Sequence, residues 1–145
     1  MLSGLMEANF HKVNVMTYRG SKCEGELPAE VQPSEIWDII EKRFSPAFEP
    51  WYLDMSHRVR HGVSRCFSDG KAALVVQHDI NNEALISQVC VLPEDEGNGY
   101  ASSLLCRVCR NLSSNAQVIC EDKLCRFYEK NGFIHYAELY VITPR

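Results

Sequence analysis

The sequence predicts a mixed α/β domain whose sheet is mostly antiparallel, with one parallel crossover. Three observations carry that prediction. Two alternating apolar runs, "GVSRCFS" and "KAALVVQH", flank an Asp69-Gly70 turn, which is a hairpin signal. A strand-like run, "ISQVCVLP", feeds "EGNGYASSLL", where a glycine-bearing loop opens a helical pattern. A second helical pattern stops at Asn131-Gly132 and an apolar strand-like run follows. Strands, then strand–helix–strand–helix–strand, is the order of an antiparallel sheet that contains one right-handed parallel crossover.

Each element has a local reason. "KVNVMTY" reads as a strand, and "GSKCEGELPAEVQP" as a loop by its Gly and Pro content. In "SEIWDIIEKRF", Ser34 suits an N-cap, Ile36, Trp37, Ile40 and Phe44 fall at helical spacing, and Pro46 ends the run. "SPAFEPWYLDMSHRVRHG" is Pro-rich, aromatic and dense in ionisable groups, and reads as an irregular connection. "EALISQVCVL" is a third strand after the hairpin, reached through the turn "DINN". From Tyr100 to Leu112, residues Ala101, Leu104, Leu105, Val108 and Leu112 share one face of an amphipathic helix. "AQVIC" is a short strand with few polar residues, as expected where both faces are covered. The last helix takes Asp122 as N-cap, buries Leu124, Phe127 and Tyr128, and ends where Gly132 can adopt the left-handed conformation. "FIHYAELYVI" closes the sheet with one or two strands.

Composition bounds the function. The 145 residues suffice for one domain, 1–145, with 46% apolar and 23% charged residues and a formal charge of −4. That balance gives no nucleic-acid footprint. The longest apolar run, "AALVV", is far short of a membrane span, and the N-terminus shows no secretory pattern. Seven cysteines at irregular spacing do not resemble a disulfide framework. Cys106 and Cys109 form a C-x-x-C, but inside a helical pattern and with no second pair, so no metal is expected. The cysteines read as small core residues of a protein in a reducing cytoplasm.

The loop Glu96–Ser102 is where chemistry is expected. Gly97 and Gly99 let the backbone approach a ligand closely. The unpaired N–H groups of the first helical turn and the helix dipole favour an anion there. Glu94, Asp95 and Glu96 stand immediately ahead of it and would repel one.

Two motifs make the chain resemble the GNAT N-acetyltransferase family. The family's V-x-P-x-x-R-G-x-G-x-A-x-x-L-L stands here as Val91, Pro93, Glu96, Gly97, Gly99, Ala101, Leu104 and Leu105. Its F-Y-E-K-x-G-F is intact at Phe127–Phe133. The resemblance covers 61–145, which it implies to be the acetyl-CoA-binding core; 1–60 matches less clearly and stands as the acceptor-side segment. It implies the acyl-CoA N-acyltransferase fold, with a splayed parallel pair and helices on both faces. Acetyl-CoA is the implied cofactor. Its pantetheine arm would pair with Val89, Cys90 and Val91, and its pyrophosphate would rest on the amides of Gly97, Asn98, Gly99, Tyr100, Ala101 and Ser102 beside Glu96. Splayed strands leave backbone groups unpaired, a cost that an amide-bearing ligand removes. Tyr128 matches the tyrosine that protonates the departing thiolate, and the implied reaction is acetyl transfer to a primary amine by direct attack in a ternary complex.

The chain departs from the family in places. Glu96 stands where Arg or Gln is usual, Asn98 where a basic residue is frequent, and Glu121 where many relatives carry Asn. Lys123, Arg126 and Arg107 are the candidates to restore positive charge. Some relatives carry a glutamate at the position of Leu85; here Glu83 shares the face of that strand and ranks first as general base, ahead of His78 and Asp79. Asp54, His57, Arg58 and Arg60, with His61, Trp51 and Tyr52 nearby, form the expected substrate rim, where the arginines suit a carboxylate. The acceptor is then a small-molecule or peptide amine, and a homodimer is expected because dimers are frequent in similar proteins. Two other readings compete: a catalytically weak or inactive CoA-binding or sensing domain of the same fold, and a cysteine enzyme pairing a thiol with His57, His61 or His78.

Overall fold

Ala72, Ala73, Leu74, Val75 and Val76 are all fully buried, so the strand that carries them is covered on both faces. In the computed structural model, which describes residues 8–44 and 47–144, this strand lies inside a seven-stranded sheet of order β2-β3-β4-β5-β6-β1-β7. The strands are β1 (Ala8–Tyr18), β2 (Glu30–Val31), β3 (Arg65–Ser68), β4 (Ala72–Ile80), β5 (Glu83–Val91), β6 (Asn115–Cys120) and β7 (Phe133–Pro144). Helices α1 (Pro33–Phe44), α2 (Phe48–Arg60), α3 (Tyr100–Asn111) and α4 (Asp122–Lys130) flank it. Period-two alternation along β4 divides the core. Ala72, Leu74 and Val76 join Leu104, Leu105, Val108 and Tyr128 beneath α3 and α4. Ala73 and Val75 join Ile36, Ile39, Ile40 and Met55 beneath α1 and α2. At roughly 25 cal/mol per Å² of apolar surface, each of these large side chains contributes about 1.5–3 kcal/mol on burial.

The expected hairpin and third strand are present: β3 pairs antiparallel with β4, and β4 with β5. Asn81 and Asn82 make the turn between β4 and β5 with φ of 55° and 64°, the left-handed pair that a tight hairpin turn demands. Among the described residues the one parallel contact is β5 with β6. "KVNVMTY" belongs to β1, which is wedged between β6 and β7. "FIHYAELYVI" is one strand, not two.

Several expectations are corrected. The segment read as an irregular connection is mostly α2. Pro50 is its third residue, where a missing N–H breaks no intrahelical bond. Trp51, Met55 and Val59, four residues apart, then turn towards the core. Trp37 of α1 packs its ring 4.7 Å from Phe48 and 5.4 Å from Trp51, centroid to centroid. Within the supposed loop, Glu30 and Val31 pair with Phe67 and Cys66 as a short edge strand. Ser34 is not the cap of α1, because Pro33 already occupies the first helical position; instead the Gln32 N–H donates to Glu35 Oε2 at 2.6 Å, the return half of a capping box. Pro46, expected to end α1, lies outside the described residues.

Asp122 is the first residue of α4 rather than its cap, and Leu124 is 38% exposed rather than buried. β6 is not covered on both faces: Ile119 is 48% exposed. Nor are all seven cysteines isolated core residues. Cys23, in the loop after β1, and Cys106 of α3 form a disulfide, whereas Cys66, Cys90, Cys109 and Cys120 are buried free thiols. Among the described residues no helix is long and apolar enough to cross a membrane.

Candidate active site

The parallel ladder between β5 and β6 is short. It runs from Glu83 opposite Asn115 to Ile86 opposite Val118 and stops there. β6 continues along β1 through Ile119 and Cys120, while β5 continues along β4 as far as Val91. The two strands therefore separate beyond Ile86. A bulge coincides with the separation: Val75 faces Gln88 and Val76 faces Ile86, leaving Ser87 as the extra residue. It switches the strand's facing. Ala84 and Ile86 lie on the α3 side, and after Ser87 it is Val89 and Val91 that do so, with Cys90 turned to the α1 side.

The gap opens into a cleft of about 550 Å³. One wall is Val89, Cys90 and Val91; another is Leu124, Phe127 and Tyr128 of α4; the loop from Asp95 to Ser102 forms its floor. After a short 3₁₀ turn at Pro93–Asp95, Gly97 and Gly99 hold φ of 82° and 78°, values that side-chain-bearing residues rarely adopt. Gly99 is the N-cap of α3 and supplies no side-chain cap to its first turn, so the turn's amides are available to an anion. Nine of the ten residues expected to hold the cofactor line this cleft. Asn98 does not; its side-chain amide donates to the carbonyls of Asp95 at 3.1 Å and Glu96 at 3.4 Å, bracing the loop from within.

The acidic stretch before the loop is partly masked. Arg43, from the last turn of α1, donates to Glu96 Oε1 at 2.9 Å, and Lys71 Nζ lies 3.7 Å from Asp95. Arg43 and Lys130 are the cations lining the cleft. The sequence reading missed both; Lys130 was legible as the last position of the "FYEK" run, whereas Arg43 arrives from the opposite face of the sheet. The cations proposed earlier do other work: Arg107 contacts Asp69 at 3.2 Å, Lys123 lies 3.6 Å from Glu121, and Arg126 is exposed on α4.

Tyr128 is 8% exposed and its ring meets Phe127 and Phe133 with centroids at 5.1 and 5.4 Å. Burial pushes its phenol above the ordinary tyrosine range, with Cys120, Cys109 and Cys90 adding to the shift. It is thus a proton carrier at neutral pH, available to donate. Burial also pushes the thiols of Cys66, Cys90, Cys109 and Cys120 up to about 12. Such groups stay protonated and unreactive at neutral pH, which removes the support for a cysteine nucleophile among them.

Other expected residues lie elsewhere. Glu83 starts β5, at the zipped end of the parallel pair, eight residues along the strand from Val91; at about 3.3 Å per residue that is more than about 20 Å from the far cleft wall. His78 pairs with Leu85 across β4 and β5, and Asp79 accepts from Ser114 Oγ at 2.5 Å. Asp54 and Arg58 are occupied with each other on α2, at 3.2 Å. The rings of His57 and His61 sit 4.3 Å apart. None of these, nor Arg60, lines the cleft. Among the described residues no group of three His, Cys, Asp or Glu is placed to hold a metal ion.

Solved structures share this architecture. A GNAT-family protein from Novosphingobium aromaticivorans superposes with a TM-score of 0.67 at 19% identity, over 94% of this chain and 66% of that one. A GNAT-family acetyltransferase from Colwellia psychrerythraea gives 0.71 at 10% identity, over 94% and 57%. The fold is the GNAT fold. A GCN5-related N-acetyltransferase from Sphaerobacter thermophilus gives 0.58 at 17% identity, over 92% and 51%. The chain thus spans about half to two thirds of the length of these GNAT-fold proteins. No protein-family model and no curated protein matches the sequence.

Proposed function

We propose that the chain is an acyl-CoA-dependent N-acetyltransferase, with acetyl-CoA as the acetyl donor and a small-molecule or peptide amine as acceptor. The observation that carries this reading is the end of the β5–β6 ladder at Ile86 and Val118. It leaves the β6-facing backbone of Val89–Val91 without a strand partner, and buried unpaired amides are costly. An amide-bearing arm pairs with such an edge, and a diphosphate suits the uncapped amides after Gly99. The cleft's residues fit the cofactor on both counts.

The donor would supply an activated thioester, and the chain's residues would supply placement and one proton. An acceptor amine forms the new C–N bond as the C–S bond breaks. The departing sulfur takes a proton from the Tyr128 hydroxyl, which its raised pKa keeps protonated and which regains the proton from water before the next turnover. The amine's proton leaves to water, because Asp95 is engaged by Lys71, Glu96 stands on the loop that would carry the diphosphate and Glu83 lies at the far end of β5. Turnover should then climb with pH as the acceptor itself deprotonates. Four buried free thiols support a reducing, cytoplasmic setting, and the Cys23–Cys106 pair argues against it.

Thermal unfolding with acetyl-CoA tests the binding step: at 100 times its dissociation constant it should add about 2.7 kcal/mol of stability. Thiol release over a panel of amines tests the chemistry. Tyr128→Phe should keep that stabilisation and lose at least about a hundredfold in turnover, the low side of the usual contribution of a positioned acid. Stabilisation without thiol release on any amine would make the chain a binding domain, and unchanged turnover in Tyr128→Phe would remove the acid.

A further inference from the structure

Asp95 and Glu96 are the cleft-floor side chains whose charge opposes the ligand proposed above, and Glu96 is held by the cleft cation that comes from the other face of the sheet. Arg43 lies in the last turn of α1, which packs on the side of Ile36, Ile40 and Cys90. Its guanidinium nonetheless reaches the cleft, 2.9 Å from Glu96 Oε1, and its charge is felt at Cys90 on the cleft wall. The pair therefore spans the cleft between α1 and the loop that opens α3. Both side chains are about half exposed, at 52% and 49%. Exposed pairs of this kind hold weakly, and a guanidinium binds phosphate oxygens at least as well as a carboxylate. The contact is firm enough to place Arg43 and weak enough to exchange.

We infer that Glu96 is an internal stand-in for a ligand phosphate: it parks Arg43 at the mouth of the cleft, and an entering diphosphate takes the guanidinium from it. This rests on the coenzyme A reading. Glu96 thereby becomes a specificity-determining residue. A ligand with phosphate charge over the loop must displace it and gains Arg43 by doing so. A ligand without that charge meets the closed pair.

A double-mutant cycle on coenzyme A binding, measured by calorimetry at fixed ionic strength, tests the exchange. Glu96→Gln should bind coenzyme A about three- to fivefold more tightly than wild type, the range that a half-exposed ion pair allows. Arg43→Ala should bind it more weakly by a similar factor. In the Arg43→Ala background, Glu96→Gln should gain less than in the wild type, because no cation remains to be released. Melting temperatures of all four proteins, expected to agree closely given the exposure of both side chains, guard against misfolding. An unchanged or weaker affinity in Glu96→Gln overturns the inference. So does an equal gain in both backgrounds, which would mean simple repulsion without exchange. If wild type binds neither coenzyme A nor acetyl-CoA, the functional reading itself fails; if it binds and the cycle shows no coupling, only the exchange fails.

Discussion

The two faces of the sheet are built on different terms. The α3/α4 face is held by backbone requirements: left-handed glycines at 97, 99 and 132, an uncapped helix start, and a strand pair that parts midway. The α1/α2 face is held by side-chain packing, with Ile36, Ile39, Ile40 and Met55 in the core and the rings of Trp37, Phe48 and Trp51 stacked outside it. One face makes nearly the whole cleft, and the other lends it Arg43. A site that relies on main-chain groups tolerates acidic neighbours, because peptide dipoles stay fixed whatever side chains stand beside them.

The sharpest way to break the contrast is Gly132→Ala. Gly132 has a φ of 93°, and a Cβ there would run into the Gly20 carbonyl. The Arg19 N–H donates to the Gly132 carbonyl at 2.7 Å, so the two turns have little freedom to move apart. A loss of more than about 2 kcal/mol is expected in denaturant unfolding, at the severe end of single substitutions; a loss under about 0.5 kcal/mol would show that the turns relax easily. Met55→Ala probes the packed face. It should cost about 2–3 kcal/mol for a side chain that is 3% exposed, yet leave the stabilisation by acetyl-CoA intact. If that stabilisation fell with it, the faces would be coupled rather than separate.

The smallest effect concerns the link between α4 and β1. Asp122 is held below the ordinary carboxylate range by the hydrogen bond from Asn14, then by Lys12, with Asn14 Nδ2 at 2.7 Å and Lys12 Nζ at 3.1 Å. A depressed carboxyl contributes stability at neutral pH and loses it as pH falls from the unfolded value through the folded one. Melting curves from pH 6 down to pH 2 should therefore fall more steeply for wild type than for Asp122→Asn. Parallel curves would mean that this network contributes nothing to α4.

Those contrasts also explain what was legible. Val91, Pro93, Gly97, Gly99 and the Phe127–Phe133 run carry their conformations in their own chemistry, so the cleft's floor and two walls could be located from sequence. The β3–β4–β5 meander was visible because its turns, Asp69-Gly70 and Asn81-Asn82, are equally local. α2 was not: its Pro50 and ionisable residues obscure a one-in-four apolar pattern that gains meaning only against α1. The substrate rim went with it, since Asp54 and Arg58 proved to serve each other. Glu83 was ranked first as base on strand alternation alone, which gives the face of a strand but not how far along it the cleft lies. Arg43 and the Cys23–Cys106 pair were hidden for one shared reason: each joins positions more than fifty residues apart, and no local pattern encodes such a meeting.

Ser87 carries a consequence for how this strand can change. As the unmatched residue of β5, it acts as a phase shifter: counting side chains inward and outward gives one parity before it and the reverse after it. Deleting it would join Ile86 directly to Gln88, and strict alternation would then keep Val89 and Val91 towards α3 and Cys90 towards α1. A one-residue gap here would thus straighten the strand and spare the lining of the cleft, which marks Ser87 as the one position of β5 where the chain can shorten without exchanging its two faces.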